Sequence, residues 1–167
     1  MPTDYKPRVR RVAFSAVVGA LYVAVTIASG EIGFGLVQFR FAEALCLLPL
    51  YAPELIPGLA VGCMLSNLLM GYGLPDIVFG TLATLLAAWI VSRVRYRWLT
   101  PLPVILINAF VVGGVLTYAI PGTRYWFAAG SVGFGELAVC VGLGLPMLYA
   151  LPRIAYFRQL FGIEVKH

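Results

Sequence analysis

Seventeen consecutive residues, 13–29, contain no charged side chain, and five further apolar runs follow them. A run of that length matches the ~20 residues a helix needs to cross a ~30 Å hydrocarbon layer. Inside a bilayer the backbone has no water to bond, so such runs must be helical. Composition agrees: 61% of the 167 residues are hydrophobic and only 11% are charged. Soluble domains carry about 25% charged residues, so this chain has too few to coat a soluble globule. The expected fold is an all-α integral membrane protein, a single bundle of about six transmembrane helices with a short second helix.

The net charge of +5 is unevenly distributed. Lys6, Arg8, Arg10 and Arg11 precede the first run, Arg93, Arg95 and Arg97 separate two later ones, and Arg153, Arg158 and Lys166 close the chain. This is the positive-inside pattern, and it predicts cytoplasmic N- and C-termini. Basic residues scattered along membrane edges do not form a nucleic-acid face. The expected division is a basic arm at 1–12, a helical bundle at 13–152 and a tail at 153–167. The first run is too long for a signal peptide's apolar region and is followed by more membrane, so it reads as a retained helix.

In chain order, the spans fall at 13–29, 41–52, 55–70, 76–91, 102–120 and 131–151. Ala16, Ala20, Ala24 and Ala28 recur every four residues on one face of the first, which suits close approach of another helix, in this chain or a partner. A Gly-rich loop at 30–39 reads as either a lid or a connector. The second span is short and ends near Pro49 and Pro53. Gly58, Gly62 and Ser66 form a small-residue ridge on the third. Asp76 opens the fourth, where a carboxylate suits the helix dipole. The loop at 121–130 is aromatic.

Polar residues that a bilayer does not explain collect toward the outer face: Glu43, Asn67, Asp76 and Glu136, with Gln38 and Arg40 in one loop and Arg124, Tyr125 and Trp126 in another. Charge near hydrocarbon costs several kcal/mol unless paired, solvated or used. Two readings follow: a structural ion pair such as Arg40 with Glu43, or an outward-open pocket of carboxylates, amides and rings. Such a pocket suits a small nitrogen heterocycle, whose N–H groups carboxylates accept and whose flat ring aromatics cover.

Enzyme chemistry finds no support. The single histidine is His167, no metal-ligand cluster occurs, and Cys46, Cys63 and Cys140 lie in apolar runs as packing thiols. No cofactor is implied. Neither Lys6 nor Lys166 follows a phosphate-binding loop, so ATP-driven work would need a partner.

Several stretches, in order, resemble the QueT family of queuosine-precursor transporters, substrate-binding (S) components of energy-coupling-factor (ECF) transporters. They are Val37-Gln38-Phe39-Arg40-Phe41-Ala42-Glu43-Ala44-Leu45, Ile56-Pro57-Gly58-Leu59-Ala60-Val61-Gly62-Cys63 with Asn67, Asp76-Ile77-Val78-Phe79-Gly80-Thr81-Leu82-Ala83-Thr84-Leu85, Asn108, and Gly130-Ser131-Val132-Gly133-Phe134-Gly135-Glu136. Ala42 stands where the family more often has serine.

The resemblance implies an S-component bundle in the cell membrane with its site near the extracellular side. It implies a 7-deazaguanine ligand, a membrane-embedded coupling (T) subunit and a pair of ABC-type ATPases. Glu43 or Glu136 would then accept the ring and amine N–H groups, and Asp76 or the other glutamate would hold an aminomethyl cation. Asn67 or Asn108 would read the carbonyl and ring edge, and Phe39, Tyr125 or Trp126 would stack. Gln38 and Arg40 belong to the same candidate site, and Ala16, Ala20 and Ala24 would dock the coupling subunit. A stand-alone secondary carrier, or an S component for another vitamin-like heterocycle, is the alternative.

Overall fold

The computed structural model describes residues 5–30, 39–71 and 73–161, and among them it holds helices and no strand. The helices are α1 (Tyr5–Ser29), α2 (Phe41–Leu50), α3 (Pro53–Met70), α4 (Gly73–Val91), α5 (Arg97–Ala119), α6 (Tyr125–Arg153) and α7 (Ala155–Phe161). Five of these, α1 and α3 to α6, are long and apolar enough to cross a membrane. The chain is an all-α, multi-pass membrane protein.

Several boundaries differ from expectation, each for a local reason. Helix α1 begins at Tyr5 and takes in much of the basic arm, because Pro7 falls in its first turn, where proline is tolerated. Helix α4 begins at Gly73, so Asp76 lies one turn inside it. Helix α6 begins at Tyr125, absorbing most of the expected aromatic loop and placing Glu136 about 16 Å along the helix rather than at its start. Helix α3 stops at Gly71, whose φ of 74° is left-handed backbone that glycine adopts without strain.

Helix α2 consists of ten residues in 3₁₀ turns, with Ala42 through Pro49 buried. Its rise of about 2.0 Å per residue spans about 20 Å, where α turns at 1.5 Å would give about 15 Å. Ten residues thereby recross most of the bundle. The crossing is visible at its far end, where Arg11 of α1 meets Glu54 at the start of α3 at 2.8 Å. The Tyr51 hydroxyl donates to the Leu148 carbonyl at 3.0 Å, and Arg97 lies over the rings of Tyr51 and Tyr149. Phe157 packs edge-on against Phe14 and Tyr51. One end of the bundle therefore gathers the start of α1, the α2–α3 turn, the start of α5, the end of α6 and α7. Both described ends of the chain lie on the same side.

Close helix contact follows the glycines. A Cβ on Gly58 would collide with the Ser15 backbone, and one on Gly62 would lie 2.7 Å from the Gly19 carbonyl. The Gly58 amide also donates to Ser15 Oγ at 3.2 Å. The ridge on α3 thus packs inside the bundle against the Ser15–Gly19–Tyr22 face of α1. Ala16, Ala20 and Ala24 lie on the other side of α1 and are exposed. The apolar core centres on α2: Leu47, Leu48, Leu55, Leu59, Ala87, Val91, Val104 and Leu148 are all buried together.

Candidate functional site

Helix α2 carries Glu43 into the centre of the bundle, where its accessibility falls to 0%. The Tyr22 hydroxyl of α1 donates to Glu43 Oε1 at 2.5 Å, and the Thr84 hydroxyl of α4 approaches the same oxygen at 3.3 Å. The other oxygen, Oε2, is buried with no hydrogen-bond partner among the described residues. The glutamate is therefore held at Oε1, and Oε2 is left without a hydrogen bond among the described residues.

Beside it, Arg40 and Asp76 approach at 3.9 Å, and both are buried. Asn67 of α3 donates its Nδ2 to the Asp76 backbone carbonyl at 2.9 Å and faces Cys63 sulfur at 3.6 Å. Asp76 opens a π turn that runs to Gly80. A Cβ on Gly80 would sit 2.9 Å from Asn67 Nδ2, so the bare glycine lets α3 and α4 close on the amide. π turns widen the helix and recur at functional sites.

A second group adjoins the first. Asn108 of α5 donates Nδ2 to Glu136 Oε1 at 3.0 Å, and Cys140 sulfur lies 3.8 Å from Glu136 Oε2. In this arrangement the amide turns its NH2 toward Glu136 and its oxygen away. That oxygen, Asn108 Oδ1, is buried and has no partner among the described residues. Glu136 is within electrostatic range of both Glu43 and Arg40, which makes the two groups one cluster. A second π turn, Cys140–Gly144, follows Glu136 directly and packs against Leu47 and Ala44 of α2 through Gly144.

Of the residues expected at the site, Arg40, Glu43, Asn67, Asp76, Asn108 and Glu136 converge in this buried cluster. Arg40 meets Asp76 at 3.9 Å, while Glu43 is bonded by Tyr22 and Thr84. Trp126 stands apart: it is 75% exposed and edge-on to Tyr125. Arg124 is likewise exposed, at the start of α6. Gln38, with the rest of loop segment 31–38, lies outside the described residues. Sequence reasoning passed over Tyr22, a tyrosine in an apolar run whose hydroxyl had to find a partner somewhere. It also left Thr84 without a role and read Cys63 and Cys140 as packing alone. No group of three metal-ligating side chains occurs among the described residues.

This chain matches the family described as "QueT transporter" over residues 12–153. It belongs to the QueT transporter family. A curated relative, the "Queuosine precursor transporter QueT" of Lactococcus lactis subsp. cremoris (strain MG1363), is 38% identical over 72 residues. That alignment spans 42% of this chain and 42% of the relative, so the chain is matched over less than half the relative's length. No solved structure matches.

Proposed function

We propose that this protein is the membrane-embedded substrate-binding component of an ATP-driven ECF-type importer for a queuosine precursor, a 7-deazaguanine. The observation that carries this is the cluster's composition. Glu43, Asp76 and Glu136 bring three buried carboxyl groups against a single buried guanidinium, that of Arg40. Such an excess favours a ligand rich in N–H donors or carrying a cation, and a deazaguanine with an aminomethyl arm offers both. The two free acceptors, Glu43 Oε2 and Asn108 Oδ1, suit its amine and ring N–H.

The basic residues support the orientation. Arg10, Arg11, Arg93, Arg95, Arg97 and Arg153 belong to the end that holds both described chain ends. By the positive-inside rule that end faces the cytoplasm, in the cell membrane, with N- and C-termini inside and the site reached from outside. The exposed Ala16, Ala20 and Ala24 face is where the coupling subunit would dock. A groove of about 520 Å³ borders it, lined by Arg11, Val12, Ser15, Ala16, Pro57 and Val61. A pair of ABC-type ATPases would supply the energy, and catalysis is no part of this chain's role.

Calorimetric titration in detergent with queuine, its aminomethyl and cyano precursors, and guanine as control tests the substrate. Tight binding of one deazaguanine, weakened in Glu43→Gln, is expected. No binding by any of them rejects the substrate class. A stand-alone carrier is the second reading, although α4 and α6 run continuously through their π turns rather than breaking as carrier helices do. Uptake that persists without ATPase partners would select it.

A further inference from the structure

Most hydroxyl groups within the spans follow one rule, and the exceptions on α4 are informative. Thr26, Ser29, Ser66, Thr117 and Ser131 each donate to the carbonyl four residues back. This satisfies the hydroxyl within its own helix, as a bilayer requires. Thr84 instead serves Glu43 and Cys63. The Thr81 hydroxyl is buried and makes no hydrogen bond among the described residues.

Its position explains why. Thr81 directly follows the π turn Asp76–Gly80, where bonding runs to the fifth residue and the regular four-residue spacing of carbonyls is broken. Thr81 is also three residues before Thr84, and that spacing puts both on neighbouring positions of one helix face. Thr84 touches Glu43, and Gly80, next to Thr81, lies against Asn67 and Arg40. The helices bearing Glu43, Thr81 and Asn108 pack against one another.

We propose that Thr81 is a direct ligand contact that reads the ring carbonyl of the substrate. This rests on the heterocycle reading given above. Three buried atoms await partners on these three helices: Glu43 Oε2, Asn108 Oδ1 and Thr81 Oγ1. A carboxylate oxygen and an amide oxygen accept, so they take the ligand's N–H groups. The hydroxyl alone of the three can donate, so it takes the ligand's acceptor. A deazaguanine edge carries an amine, a ring N–H and a carbonyl in succession, which is the complement of two acceptors and one donor.

The test compares wild-type protein with Thr81→Val, Thr81→Ser and, as a control back-bonded hydroxyl, Thr117→Val. Each is titrated in detergent with queuine, its aminomethyl precursor, 7-deazaguanine and the diamino analogue in which an amine replaces the ring carbonyl. Melting is recorded without ligand. Thr81→Val is expected to weaken deazaguanine binding about tenfold, to narrow but not abolish the preference over the diamino analogue, whose ring nitrogen also turns from donor to acceptor, and to leave the unliganded melting temperature unchanged or higher, since a buried unbonded hydroxyl has been removed. Thr81→Ser should bind within about threefold of wild type, a loss smaller than one hydrogen bond. Thr117→Val should bind as wild type does. Wild-type affinity in Thr81→Val overturns the proposal. So does a fall in both melting temperature and affinity, or failure to fold, because a structural threonine behaves that way. Absence of binding by the wild-type protein is a different result: it rejects the heterocycle reading itself and this inference with it.

Discussion

The Tyr22 hydroxyl of α1 donates to Glu43 Oε1 of α2 at 2.5 Å, with both side chains almost fully buried. This bond fixes which carboxylate oxygen is occupied and which faces the site. It also ties the site to the helix whose opposite face is exposed. Tyr22→Phe keeps the ring and removes the donor. A hydrogen bond to a charged group contributes about 1.5–3 kcal/mol, so the variant should melt lower and bind ligand several-fold more weakly. A thermal scan with and without ligand checks it. An unchanged melting temperature would mean the bond contributes nothing.

Glu43→Gln tests the free oxygen. The amide retains the shape but loses the charge, and affinity for the preferred deazaguanine should fall at least about tenfold, or ~1.4 kcal/mol. Glu54→Gln is the matched control. Its pair with Arg11 is partly exposed and should contribute under about 1 kcal/mol to stability and nothing to binding. Equal affinities in the two variants would remove Glu43 from the site.

Asn108 and Glu136 should behave as a unit. Asn108→Ala removes a ligand acceptor, while Glu136→Gln frees the Asn108 amide to turn over. If Glu136 acts by orienting Asn108, the double variant will lose less affinity than the two single losses combined, with a coupling of about 0.5–3 kcal/mol. Strict additivity in the titrations would instead make Glu136 an independent contact.

The two faces of α1 should separate stability from partnership. Gly58→Ala forces a methyl into the Ser15 backbone, and overpacking of this kind costs about 1–3 kcal/mol, seen as a lower melting temperature. Ala20→Leu adds bulk on the exposed face. It should leave melting and ligand binding unchanged yet abolish cellular uptake, because only the docked complex is affected. Normal uptake in Ala20→Leu would move the docking surface elsewhere.

Much of the cluster was visible in the chain before folding, for a physical reason. In a chain this apolar, Arg40, Glu43, Asn67, Asp76, Asn108 and Glu136 have no cheap solitary position in a bilayer, so each had to be paired or used. For all but Asn108, which only the family resemblance named, their meeting in one place followed from helix order and the positive-inside rule. The same logic named the class, because long uncharged runs permit helices and little else. The ridge of Gly58 and Gly62 announced close packing, though which face of α1 it would meet could not be read from spacing.

The tertiary structure decided what depends on distance. It gave Arg40 an approach to Asp76, bound Glu43 to Tyr22 and Thr84, and left Trp126 outside the cluster. It turned α2 into 3₁₀ turns and opened π turns in α4 and α6, none of which has a sequence signature. Sequence alone determined the class of the protein and the residues too polar to ignore, because transfer of side chains into hydrocarbon is a property of each residue by itself. Which oxygen is bonded and which is left for a ligand is a property of pairs, set within a few tenths of an ångström by how the helices pack, and only the folded bundle contains it.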